Sequence, residues 1–486
     1  MRQTWHIFMK DARRLRFEIV VICALTAVYA WLQGHWSPLY NRQTKLLNGA
    51  VDTLRFFVLP MAWWYLVSRT VYAEPIPGDR QFWITRPYRR TSLLGAKLLF
   101  MMVFVSFPLM LADCFILTLK GLSPLESPAG LLWHALMVFA TILLPMIALA
   151  SITDSFATGT LVGLVIIALL LGLDSILRSS LGTYTEFRGK VDWIVASMAV
   201  LVVLSPVLAI MILQYRARRT WVSRVIFVSA AAVLALCGDR FPPGYTTWAL
   251  QTRLLRPRID TSSISAVVCP GSSPAPTVPR SRWITMPPDL ARVTLPIRFY
   301  GLPSGTTAVG DVMLGELTPP NGRPLKTLLW FGASQDAMAW NDAFVERSLF
   351  EQIKGRPMRL HLNVYLTVLG DAHTVSVPLG GGPYRVPGVG MCEFFPGGFG
   401  DTFLSCWAPF RQPPYVLPQF DINPHGYRAR REDTPFPAGG GINPIAESVW
   451  GVPKTATTLT MTTMQPLAHL RRELDIPNVR LADFAN

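Results

Sequence analysis

Apolar and polar positions are arranged in two different ways along this chain, and the change falls near Cys237. Before it come long apolar runs: Leu93 to Leu119, Leu131 to Ile152, Phe156 to Leu173, Val191 to Leu213 and Trp221 to Cys237. Each approaches or meets the roughly 20 mostly apolar residues that a helix needs to cross a hydrocarbon core. Two earlier runs, Phe17 to Trp36 and Leu54 to Val71, are weaker because Glu18, His35, Arg55 and Arg69 sit at or near their edges. The pattern predicts about seven membrane spans.

After the break the period changes. Arg253 to Asp289 is rich in Pro, Ser, Arg and Thr, the composition of a linker, with Ile264 to Val268 as a short candidate strand. Val293, Leu295, Ile297 and Phe299 then alternate onto one face of a strand, and Leu360, Leu362, Val364, Leu366 and Val368 onto one face of another. Gly370 and Asp371 read as a turn, with Val375, Val377 and Leu379 on its hairpin partner. A helix is predicted from Ala343 to Lys354, capped by Asn341 or Asp342 and stopped by Gly355. The predicted fold is an α-helical polytopic membrane domain over residues 1–238, a linker over 239–290, and a mainly β, sandwich-like extracytoplasmic domain over 291–486.

Composition agrees, since 51% hydrophobic against 15% charged residues is too apolar for a wholly soluble chain of 486 residues. The net charge of +15 raises the question of nucleic acid. Up to Cys237, however, there are 22 Lys and Arg against 11 Asp and Glu, leaving only +4 for the rest. The excess belongs to loops beside lipid headgroups, and no nucleic-acid partner is expected. Basic residues concentrate in one set of loops, around Arg2 to Arg16, Arg80 to Lys97 and Arg216 to Arg224, which places the N-terminus inside. An odd number of spans then puts the C-terminal domain outside the cytoplasmic membrane. No cleavable signal is read at the N-terminus, where Trp5, Phe8, Met9, Ala12 and Leu15 recur at helical spacing. That stretch suits a helix lying in the interface, a solvated charged tail being the alternative.

The most distinctive polar segment runs from Tyr72 to Leu99. Phe82, Trp83 and Ile84 are rimmed by Asp79, Arg80, Arg86, Arg89 and Arg90, which suits either a docking surface for a cytosolic partner or an aromatic belt anchored by arginines. Together with the basic N-terminal helix, the D-R-x-F-W-x-T-R-P run and later Lys between Gly78 and Lys97, the tight Ser151 to Ser155 turn and the loop from Asp174 to Lys190, this segment resembles the membrane subunit of type-two ATP-binding-cassette exporters over Met1 to Leu213. The resemblance implies that the segment couples to a cytosolic ATPase, that Asp174 to Lys190 holds short re-entrant helices, and that the permease works as a pair, with a second copy or a paralogue. The chain has no G-x-x-x-x-G-K-[ST] phosphate loop, so nucleotide is expected on the ATPase and no cofactor on this chain. The family pattern ends after about six spans, and it covers neither Trp221 to Cys237 nor the outer domain.

Cys392 and Cys406 flank a Gly- and Phe-rich loop in which a disulfide is expected; Cys269 and Cys237 give no firm second bond. No catalytic arrangement emerges. Gly332, Ala333 and Ser334 are followed by Gln335 and Asp336 and miss G-x-S-x-G, and His361, His373, His425 and His469 are scattered, with no metal site expected. Asp113 lies inside an apolar run near its outer end, where solvation competes with a place on a substrate pathway. Three functions compete: an exporter permease, a membrane-anchored receptor or scaffold with an outer ligand-binding domain, and a membrane glycosyl or lipid transferase. The last is weakened because Gln33 to Thr53 offers only Asp52 as an acid.

Overall fold

The computed structural model describes residues 2–35, 42–74, 90–181, 192–237, 244–269, 290–319, 325–335, 338–379, 382–387, 389–396, 402–407, 410, 419–423, 427–429, 445–449 and 457–484. Twelve helices come first among these: α1 (Arg2–Arg14), α2 (Arg16–His35), α3 (Arg42–Thr53), α4 (Leu59–Tyr72), α5 (Arg90–Met101), α6 (Phe107–Leu119), α7 (Pro128–Val138), α8 (Leu144–Ile152), α9 (Phe156–Leu181), α10 (Asp192–Ile212), α11 (Thr220–Cys237) and α12 (Gly244–Leu254). Five helical stretches are long and apolar enough to cross a membrane: Arg16–His35, Leu46–Tyr72, Thr91–Leu119, Pro128–Ile152 and Val200–Ala217. Two shorter apolar helices, Phe156–Leu169 and Thr220–Leu234, occupy the places of the other two expected spans. The two runs that look weakest in sequence are thus among the five: Glu18 and His35 sit at the ends of the first, and α3 lengthens the second by a turn or more, so that Arg55 falls inside a longer apolar stretch. Large apolar side chains on these helices, including Phe17, Trp31, Phe57, Leu111 and Leu161, point outward, which fits a multi-pass membrane protein.

Three of the long helices share one irregularity. A π-helical turn at Leu54–Val58, Met102–Ser106 or Phe139–Leu143 is followed directly by α4, α6 or α8, each with proline as its second residue: Pro60, Pro108 and Pro145. Proline lacks an N–H and its ring collides with the carbonyl four residues back. Those carbonyls belong to Phe56, Phe104 and Thr141, the middle residue of each π turn. The wider turn relieves the collision without breaking the helix.

The C-terminal region carries β1 (Ser265–Val268), β2 (Leu290–Tyr300), β3 (Thr307–Thr318), β4 (Leu325–Gln335), β5 (Met338–Glu346), α13 (Arg347–Ile353), β6 (Met358–Pro378), β7 (Tyr384–Val386), β8 (Gly390–Pro396), β9 (Thr402–Trp407), β10 (Gln419–Asn423), β11 (Tyr427–Ala429), β12 (Ile445–Val449) and β13 (Thr458–Val479). A large sheet has the order β1-β2-β5-β4-β3-β6-β13-β10-β11, and a small one β12-β9-β8-β7. The alternating residues of β2 and β6 form the core of the large sheet, with Val293, Ile297, Leu360, Leu362 and Val364 wholly buried. Where the sheets meet, Val377, Leu459 and Met461 share a second core with Val386, Phe394, Leu404 and Cys392.

Three local expectations change. Gly370 and Asp371 do not reverse the chain: β6 continues through them, paired along its length with β13, and the extra residue is absorbed as a bulge between the Gly370–Gln465 and His373–Thr463 pairs, with Asp371 at φ 50°. The helix starts at Arg347, not Ala343, because Asn341 and Asp342 are strand residues paired to Leu295 and Thr294. The stretch expected as linker also contains α12, while β1 falls on the short strand expected at Ile264 to Val268 and is the first strand of the large sheet.

Candidate functional site

Polar groups collect at the two ends of the helical bundle, one carrying α1 and the other carrying the sheets. At the first end, Ile7, Phe8, Asp11 and Leu15 face inward together. Lys97, on α5 and only 1% exposed, donates to Asp11 Oδ2 at 2.7 Å and reaches Glu74 Oε2 at 3.4 Å, while Lys10 donates to Glu74 Oε1. Two carboxylates and two ammonium groups therefore share one largely buried cluster, which removal of any one partner would leave unbalanced. Burial works against the charged form of Glu74, but Lys97 and Lys10 outweigh it and hold the carboxyl below its usual range. The quartet also rotates α1 from the face its apolar periodicity suggests: Trp5 is exposed, Met9 and Ala12 are half-buried, and Ile7 replaces them.

At the other end, Asp113 of α6 and His134 of α7 are both buried, and His134 Nδ1 lies 2.9 Å from Asp113 Oδ2. Asp113 Oδ1 and His134 Nε2 have no hydrogen-bond partner among the described residues. Buried Tyr29 and Gln33 of α2 and Asn48 of α3 add polar groups at the same end, and the Arg55 charge acts on Asp113 and Tyr29. Such a buried acid–imidazole pair is costly unless its groups are hydrogen-bonded to each other.

A ring just beyond the small sheet covers this pair. The Phe410 ring stacks on His134 with centroids 4.8 Å apart and planes at 16°. Next to it Lys120, which follows α6, places its ammonium 4.0 Å from the centre of the Trp407 ring, and Arg385 pairs with Glu126 at 2.6 Å. Burial lowers Lys120 to about 8 against the opposing pull of Glu393, and burial raises Glu393 against the pull of Lys120. Cys392 and Cys406 face each other across β8 and β9 and are bonded, so the hairpin that carries Trp407 is closed covalently.

Of the residues singled out in sequence, Asp79, Arg80, Phe82, Trp83, Arg86 and Arg89 lie outside the described residues; Arg90 opens α5. Asp113 acquires His134, a partner the sequence reading did not assign. The charge quartet was also missed, although Asp11 on the apolar stripe of α1 and Lys97 inside an apolar run are signals that each needs the other. His469 is held through both ring nitrogens, by Gln251 at 2.8 Å and Thr367 at 3.0 Å, fixing α12 against β6 and β13. No group of three or more metal-binding side chains occurs among the described residues. No family model matches the chain, and no curated protein matches it.

Proposed function

We propose that this chain is the permease subunit of an exporter, moving its substrate across the cytoplasmic membrane with energy from a separate ATPase subunit. In this reading α1 and the charge quartet are cytoplasmic, the sheets form an outer domain, and two copies of the chain, or the chain and a paralogue, make the pore. The observation that carries it is the quartet: Glu74 stands immediately before residues 75–89 and Lys97 shortly after them, both bonded to α1. A force on that segment from a cytosolic partner would be delivered to α1, α4 and α5 together. The fusion of interfacial helix and segment roots into one rigid base is what a coupling element requires.

Purification of the tagged full-length chain in mild detergent tests this reading. A Walker-motif ATPase is expected to co-purify. Trp83→Ala, which removes a large apolar anchor, and Arg86→Glu, which reverses a rim charge, should both lose it while inserting normally. Full ATPase retention in both variants, or no ATPase with the unaltered chain, sinks the proposal.

One observation favours a second reading, a membrane-anchored receptor or scaffold. Phe410 and Trp407 connect the outer sheets to buried Asp113 and His134, so a ligand on the sheets has a direct route into the bundle. Ligand binding by this chain without any ATPase partner would select it.

A further inference from the structure

A cavity of about 360 Å³ opens at the α1 end of the bundle, between the end of α1, the end of α4 and the turn that leads into α9. Arg14 and Arg69 line it. Arg69 has one acidic neighbour, Glu18, at 3.4 Å; Arg14 has no ion-pair partner among the described residues. The other acid nearby, Asp154, is exposed and held by Arg224 at 3.3 Å. Among the described residues the cavity therefore keeps a positive balance.

Two of the hydroxyls that line the cavity, those of Tyr72 and Ser155, have protein partners. Thr153 donates to the Leu149 carbonyl at 2.8 Å, so the 2.6 Å contact between Tyr72 and Thr153 uses the tyrosine proton. Ser155 accepts from the Thr158 N–H at 3.2 Å and caps α9, whose N-terminal end adds positive potential. Ser68 is different. It lines the cavity, is 1% exposed, and its Oγ has no hydrogen-bond partner among the described residues, although Thr70 two residues on bonds back to the Leu66 carbonyl. A buried hydroxyl without a partner is costly unless a ligand supplies one.

Below the cations the wall is apolar. Tyr65 and Phe156 meet edge to face with centroids 6.0 Å apart, and both are 43% exposed on the outside of the apolar helices. An anionic group held above, with hydrocarbon alongside, is the shape of a phospholipid at the membrane interface.

We infer that this cavity binds the phosphate of an anionic phospholipid through Arg14, Arg69 and Ser68, with acyl chains against Tyr65 and Phe156. The chemistry shared with soluble phosphate esters is the phosphate oxyanion; the apolar wall selects the lipid source.

The test uses the full-length protein in mild detergent, with phosphatidylglycerol, phosphatidylcholine and inorganic phosphate added separately at constant ionic strength, read by native mass spectrometry and thermal unfolding. Phosphatidylglycerol should be retained about tenfold or more over phosphatidylcholine, whose choline cation faces the two arginines. The Arg14→Gln/Arg69→Gln double variant should lose that preference. Ser68→Ala removes no native bond, so it should unfold like the parent without lipid yet bind phosphatidylglycerol several-fold more weakly; it decides the matter if the double variant does not fold. Equal retention of the two lipids, an unchanged preference in both variants, or inorganic phosphate binding as tightly as phosphatidylglycerol would each overturn the inference.

Discussion

The two ends of the helical bundle are closed by opposite chemistry. At the α1 end, four charged side chains from three places in the sequence neutralise one another in a largely buried cluster. At the sheet end the closure is made by rings: Phe410 on His134 and Trp407 under Lys120, with one exposed ion pair at the rim. Ionic closure is unforgiving, because loss of one partner strands another charge in low dielectric. Ring closure is graded, since each contact contributes separately and modestly. The first end should therefore come apart as a unit, the second by steps.

The sharpest way to break this contrast is Lys97→Ala. It leaves Asp11 and Glu74 with only Lys10 and should cost about 3–5 kcal/mol, read as a large fall in unfolding temperature. Lys97→Ala combined with Asp11→Ala should recover part of the loss. Unfolding like the parent would mean the quartet is not a unit. At the sheet end, replacing Cys392 and Cys406 by Ser should cost about 3 kcal/mol, confined to a separate transition of the small sheet. A matching drop in the helical transition would show instead that the two ends are one cooperative block. Phe410→Ala should cost about 0.5–1.5 kcal/mol beyond its lost area and raise the reactivity of His134 toward an imidazole-modifying reagent; unchanged reactivity would remove Phe410 as a cover. Arg385→Ala should change stability by less than about 1 kcal/mol, because both partners of its ion pair are well exposed.

Acid separates the ends most gently. The Glu74 carboxyl is held below its ordinary value, so its contribution is complete above pH 4.5 and is lost as pH falls through the lowered value. Amide exchange over α1, corrected for intrinsic rates, should stay flat from pH 7 to 5 and rise only below 4.5. A rise between pH 7 and 5 would contradict the quartet.

Much of the architecture was legible because burial imposes short-range periods. The runs that became Thr91–Leu119 and Pro128–Ile152, and the faces of β2 and β6, are local patterns that any core must respect. What failed was long-range. Gly370–Asp371 has the composition of a turn, but the partner for Val375 and Val377 is β13, some eighty residues away, not the strand before it. Asn341 and Asp342 look like helix caps until β2 claims them as strand partners. The candidate site was hidden in the same way: Asp113 was visible as an acid in an apolar run, whereas His134 and Phe410 are joined to it only by packing.

The π turn at Met102–Ser106 also settles a question of azimuth. From Lys97 to Asp113 is sixteen residues, which at about 100° per residue comes to about 160° on an unbroken helix, nearly opposite sides. One residue taken up in the wider turn subtracts about 100° and leaves about 60°. Both side chains are 1% exposed. Thus a cation near one end of this helix and an acid near the other are both turned into the bundle, each to its own partners, because the π turn before Pro108 supplies an angular correction between them, and a helical wheel drawn through residues 91–119 without it would aim one of the two at lipid.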